Sequence, residues 1–136
     1  MQNREIRLKA GGVWSVALIL LMVSVLAGCA GPSLDDYRDA QPELIPREFF
    51  QGELSARGVV KNFSGKVIRT FDADIVATWS DEGVGTLDEV FRFDDGEVQT
   101  RVWTLTPAGD SYHAEAGDVV KPGTMRWQGN AIHMNY

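Results

Sequence analysis

The chain has 136 residues, a formal charge of −6 and 44% hydrophobic residues, which sets the expectation at one globular domain. The acidic balance argues against nucleic acid as a partner, because a phosphate backbone demands the opposite sign. A single cysteine excludes an internal disulfide, and neither it nor the two histidines falls into a zinc-ligand spacing.

The first predicted element is a targeting segment. Arg4, Arg7 and Lys9 are basic, with Glu5 the lone acid, and an apolar run follows from Val13 to Leu26, broken by Ser15 and Ser24. A membrane-spanning helix needs about 20 residues and a signal-peptide core about 7–15, so the run reads as a cleaved signal helix. It closes on Leu26-Ala27-Gly28-Cys29, where the only thiol stands. These four residues resemble the lipobox of bacterial lipoproteins. The resemblance implies a diacylglycerol on the Cys29 sulfur, removal of the signal peptide 1–28 and acylation of the new amino group. One acyl chain anchors only marginally, since each buried CH₂ contributes about 0.8 kcal/mol, whereas two or three hold a domain firmly. Ala30 follows the cysteine where Asp would favour retention in the inner membrane. By the same resemblance this implies the outer membrane, on its periplasmic face. The competing reading is a buried structural cysteine in a signal anchor.

Residues 29–46 follow as a lipid-anchored tether, polar and punctuated by Gly31, Pro32, Asp35, Asp36, Pro42 and Pro46. Pro46 to Gly52 suits one helical turn, with proline at its start and glycine at its end. The domain, 47–136, then reads as strands. Apolar stretches Leu54–Lys61, Val67–Ser80, Leu87–Phe93, Glu97–Thr106, Ser111–Ala116 and Thr124–Gln128 are separated by turn residues, and a last strand begins at Ala131. Turn signals at this spacing predict an all-β antiparallel meander, a sandwich or a barrel. Alternation is clearest where Phe71, Ala73, Ile75, Ala77 and Trp79 form one face, expected to face the core. Its two alanines leave room either for a cavity or for close packing by another element.

From Phe49 to Tyr136 the chain resembles bacterial lipoproteins of the domain-of-unknown-function 3833 family. The stretches that carry the resemblance are "FFQGELSARGVVKNFSGKVIRTF", "TLDEVFRFDDGEVQTRVWTL" and "DVVKPGTMRWQGNAIHMNY". The second is the most specific, with Glu-x-Phe-x-Phe-Asp-Asp-Gly followed by Arg-x-Trp. The family departs from this chain at Ala56-Arg57-Gly58, where an aromatic before the glycine is common. The resemblance implies a lipocalin-like β-barrel without an established activity. It also implies further strands past the position of Tyr136, so the barrel is expected to be incomplete, through truncation or with a dimer partner completing the sheet.

Candidate chemistry is sparse. His113 and His133 lie in different strands; His113 shares a strand face with Glu115, but two ligands do not make a metal site. Asp35-Asp36, Asp81-Glu82 and Asp94-Asp95 lie in the tether or in turns, where Asp is favoured for local backbone bonds. No cofactor motif and no nucleophile–base pair is found, so no enzyme activity is expected. One constellation stands out. "DDG" at 94–96 suits a three-residue hairpin loop ending in left-handed glycine. That loop places Phe93 opposite Glu97, Phe91 opposite Gln99, Glu89 opposite Arg101 and Leu87 opposite Trp103, all on one face. Glu89 and Arg101 are then either a polar anchor in a ligand cavity or an ion pair satisfied within the barrel, with Trp103 on the guanidinium. The sequence thus predicts an envelope lipoprotein, held on the membrane by its N-terminal lipid, that binds a lipid or other small hydrophobic ligand. The alternative is a structural or assembly lipoprotein acting through protein contacts, its protein partner unidentified.

Overall fold

Alternating apolar stretches bounded by glycine-bearing turns become seven strands. The computed structural model describes residues 31–136. The expected signal peptide, 1–28, and Cys29 lie outside the described residues. Leu34 to Tyr136 fold as one unit. It opens with a 3₁₀ turn, Leu34–Tyr37, and a single α-helical turn, α1, Pro46–Phe49. The strands are β1 Gly52–Lys61, β2 Val67–Trp79, β3 Gly85–Phe93, β4 Val98–Ala108, β5 Ser111–Ala116, β6 Gly123–Gln128 and β7 Ala131–Asn135. All neighbours pair antiparallel in one sheet of order β1 to β7. The all-β meander is therefore as the sequence predicts. The sheet curls into a half-barrel with β1 and β7 at its edges, so the expected barrel is present in open form.

Turn chemistry sets each reversal. In the β1–β2 turn, Asn62 Oδ1 accepts the backbone N–H of Ser64 and of Lys66, each at 3.0 Å. In the β3–β4 turn, Gly96 has φ +87° and donates its N–H to the Phe93 carbonyl. A left-handed residue there is what a three-residue hairpin loop needs.

The inner face is continuous across the sheet because register is kept from strand to strand. One row reads Leu54, Ile75, Glu89, Arg101, and the next toward α1 reads Ala77, Leu87, Trp103, Ala116. The packed core lies in the half of the sheet nearer α1 and comprises Ile75, Ala77, Leu87, Trp103, Leu105, Ala114 and Met125. Ala77 is packed within it, which favours the close-packing reading of that alanine. Ala73 is equally buried, in register between Ala56 and Phe91.

Aromatic rings close the α1 end. Trp79 and Tyr112 have ring centroids 5.5 Å apart, and Tyr112 and Trp127 5.6 Å. The Trp79 indole donates to the Phe50 carbonyl at 2.6 Å, which ties the residue after α1 to β2. The segment before α1 is docked as well. From Leu34 onward the stretch expected as a tether belongs to the same unit as the strands. Leu44 donates its N–H to the Gly129 carbonyl at 2.7 Å, and Asn130 donates to the Gln41 carbonyl at 3.3 Å. Gly129 has φ +53°, and a Cβ there would strike the Tyr37 carbonyl. This strap crosses the β6–β7 turn at the same end as α1.

Candidate functional site

The site begins with hairpin register. β3 and β4 pair with Glu89 opposite Arg101, Leu87 opposite Trp103 and Phe91 opposite Gln99. This is the register that the Asp94-Asp95-Gly96 loop dictates. A one-residue slip would have sent Arg101 and Trp103 to the outer face.

Glu89 is buried, with 8% of its surface exposed, at the border between the packed core and the open half of the inner face. Burial pushes its carboxyl pKa up; the nearby Arg101 charge and a hydrogen bond from the Trp103 side chain oppose the shift and do not cancel it. Arg101 does not close a salt bridge on Glu89. Its guanidinium turns to Asp118: Nη2 donates to Oδ2 at 2.6 Å, and Nε reaches both carboxylate oxygens at 3.1 and 3.2 Å. Nη1 also donates to the Tyr136 hydroxyl at 3.3 Å. The cation lies 5.4 Å from the Trp103 ring centroid and 5.5 Å from that of Tyr136, and these two rings meet edge to face at 4.9 Å. The hydrogen bonds it donates to Asp118 hold the Arg101 pKa above its ordinary value, and Arg101 in turn lowers that of Asp118. Glu89 is thus a buried carboxyl whose cross-strand cation is bonded elsewhere.

Asp118 and Tyr136 were not singled out from the sequence. A signal for Asp118 existed. The β4–β5 hairpin pairs Trp103 with Ala116, and the same register carried one step further brings residue 118 level with Arg101. Asp118 lies past the end of β5, so strand periodicity alone does not reach it. The two histidines are exposed, and no group of three metal-ligating side chains forms among the described residues. Asp95 serves the β3–β4 turn, its Oδ1 accepting the Glu97 N–H at 3.0 Å, while Asp94 donates its N–H to the Thr70 carbonyl of β2.

Beside Arg101, where β4 runs past the end of its ladder with β5, lies a groove of about 630 Å³ lined by Phe91, Gln99, Thr100, Arg101, Val102, Gly117 and Asp118. Farther from the core, Phe71 meets Phe91 at 5.2 Å and Phe93 at 5.8 Å between ring centroids. Phe71 lies against Gly58, where a side chain would collide with its ring. Arg69 covers the Phe93 ring at 3.7 Å while bonding Asp95 and Glu97. The open half thus carries the Phe71, Phe91 and Phe93 rings and, beside Phe91, a guanidinium bonded to a carboxylate and a phenol. It can hold an apolar body and orient one polar end.

A protein-family model described as a protein of unknown function (DUF3833) matches residues 23–136. The chain belongs to the DUF3833 family. The DUF3833 match takes in every strand of the half-barrel and also the cysteine at position 29. No curated protein and no solved structure matches the chain.

Proposed function

We propose that this DUF3833 member is a lipid-anchored envelope protein that holds a lipid or other small apolar molecule on the inner face of its half-barrel. The observation that carries the reading is the groove beside Arg101. It brings the Phe91 ring together with the polar groups of Gln99, Arg101 and Asp118, and Arg101 stands opposite Glu89, a buried carboxyl not salt-bridged to that cation. Binding sites for small apolar molecules are mostly apolar, with a few placed polar groups that fix orientation. The role is binding rather than catalysis. The anchor is Cys29, diacylated and facing the periplasm from the outer membrane, as Leu26-Ala27-Gly28-Cys29 and the following Ala30 suggest.

Native mass spectrometry of the purified protein, followed by solvent extraction, tests the binding reading. A co-purifying apolar molecule, lost from Arg101→Glu and Phe91→Asp, is the expected result. A protein that purifies empty and ignores hydrophobic probes refutes it. Intact mass of the mature N-terminus tests the anchor separately; an unmodified thiol or uncut residues 1–28 would rule it out. The second reading, an assembly lipoprotein that docks envelope proteins, draws its support from the sheet edges β1 and β7, which pair with no further strand among the described residues. It predicts an empty groove together with a stable complex retained through gel filtration.

A further inference from the structure

The two ends of the half-barrel differ in kind. At the α1 end the Leu34–Leu44 strap crosses the β6–β7 turn and aromatic rings pack beneath, with Ile45 and Phe49 left about half exposed. At the opposite end stand the β1–β2, β3–β4 and β5–β6 turns, since the strands alternate in direction. Two of these turns carry apolar side chains that touch almost nothing. Phe63 is fully exposed at the β1–β2 tip, and Val120 is 97% exposed in the β5–β6 turn. Lysines flank both: Lys61 and Lys66 around Phe63, and Lys121 beside Val120. None of the three lysines has a salt-bridge partner among the described residues.

The β1–β2 hairpin also projects. The β2–β3 ladder begins at Phe71, so Val67 to Arg69 pair with β1 alone. At about 3.3 Å per residue its backbone runs roughly 10 Å past the last β2–β3 pair before its turn begins, with Arg69 held to Asp95 and Glu97 of the neighbouring turn. A two-stranded ribbon in water gains nothing by displaying apolar groups, yet Val59, Val67 and Ile68 are all about half exposed here. The charge is equally lopsided. Leu54 to Phe71 contains Arg57, Lys61, Lys66 and Arg69 and no Asp or Glu, in a chain of net charge −6. Arg57 and Arg69 are engaged with Asp72 and with Asp95 and Glu97, which leaves the lysines as the outward charge of the tip. The acids at this end, Asp94, Asp95, Glu97 and Asp118, lie on the two neighbouring turns. All but Asp94 bond Arg69 or Arg101.

We infer that the end bearing Phe63 and Val120 docks on a phospholipid bilayer with anionic headgroups, the apolar tips entering the interface and the lysines meeting the phosphates. Exposed apolar tips ringed by lysine match the interfacial layer of a membrane, which accepts apolar side chains and attracts cations. This contact rests on the turns and not on an occupied groove. It would also set the mouth of the groove, beside Asp118 and Val120, against the lipid surface.

The test uses the full chain in a Cys29→Ala background, reconstituted into vesicles of phosphatidylethanolamine and phosphatidylglycerol, with one cysteine carrying an environment-sensitive dye. Label positions are Ser64→Cys and, as a site that no turn bond depends on, Val120→Cys; Asp110→Cys at the far end is the control. The expected result is a blue-shifted emission, quenched by nitroxide-bearing lipids, at 64 and 120 and not at 110. Replacing phosphatidylglycerol by phosphatidylcholine, or raising the salt, should weaken it, and Lys61→Ser with Lys66→Ser should do the same in phosphatidylglycerol vesicles. Labels at 64 and 120 as open to aqueous iodide as the label at 110 overturn the inference. So does a shift that follows protein concentration and not lipid composition, which would assign this end to contact between copies. Extraction of an apolar molecule from the groove is read independently, so either result can fail without the other.

Discussion

Glu89 is a residue the fold tolerates at a cost. Its carboxyl is buried across the ladder from Arg101, with its pKa raised above the ordinary 4.5. An acid that binds its proton more tightly folded than unfolded contributes most stability when protonated. That contribution is complete below the ordinary value and is lost as pH rises through the raised one. Glu89→Gln keeps the shape, still accepts from Trp103 and carries no charge to desolvate. It should therefore melt higher than the parent at neutral pH, with the difference closing under acid conditions. Thermal melts across pH on the pair of proteins check this, and a constant difference at all pH values would show that Glu89 does not titrate as described. If the groove needs the carboxyl, Glu89→Gln should also lower ligand retention while raising the melting temperature, the pattern of a group kept for binding.

Among the elements, strands were the most legible part of the sequence. Period-two alternation in Phe71–Trp79 and the Asp94-Asp95-Gly96 loop were enough to place Glu89 across from Arg101. Both signals are local: alternation needs one strand, and loop length fixes register in the next. What local signals cannot carry is the docking of the Leu34–Leu44 strap. Its proline and acids read as a free tether, and what holds it down comes from across the fold: the Leu44 N–H bonds the Gly129 carbonyl, Asn130 bonds the Gln41 carbonyl, and the Tyr37 and Ala40 carbonyls lie against Gly129. The Arg101–Asp118 pairing was hidden for a related reason, since Asp118 lies in a turn that no strand pattern reaches. The strap yields a prediction of its own. Gly129→Ala places a Cβ where φ is positive, at about 1–2 kcal/mol, and drives it into the strap. Amide exchange should show Leu44 losing protection while Leu105 keeps its own. Equal loss at both would mean that the strap and the strands unfold together.

The whole molecule divides across its length into a packed half and an open half. Leu105, with no exposed surface, sits in the first, and Phe91 in the second. Leu105→Ala should cost about 2–5 kcal/mol in denaturant unfolding, as buried leucine truncations do. Phe91→Ala should cost less, and its principal effect should be on ligand retention. A similar loss for both would mean that the open half is as much core as the other. The plain strand order has a kinetic corollary. Every strand pairs with its neighbour in sequence, so no loop longer than a turn must close before a ladder can form. Low contact order favours rapid folding, and this sheet should refold faster than closed barrels, whose first and last strands must find each other. Stopped-flow refolding should give a single fast phase. Protection against exchange should then accumulate from β3 and β4 outward, making the two rims the last parts to settle and the first to let go.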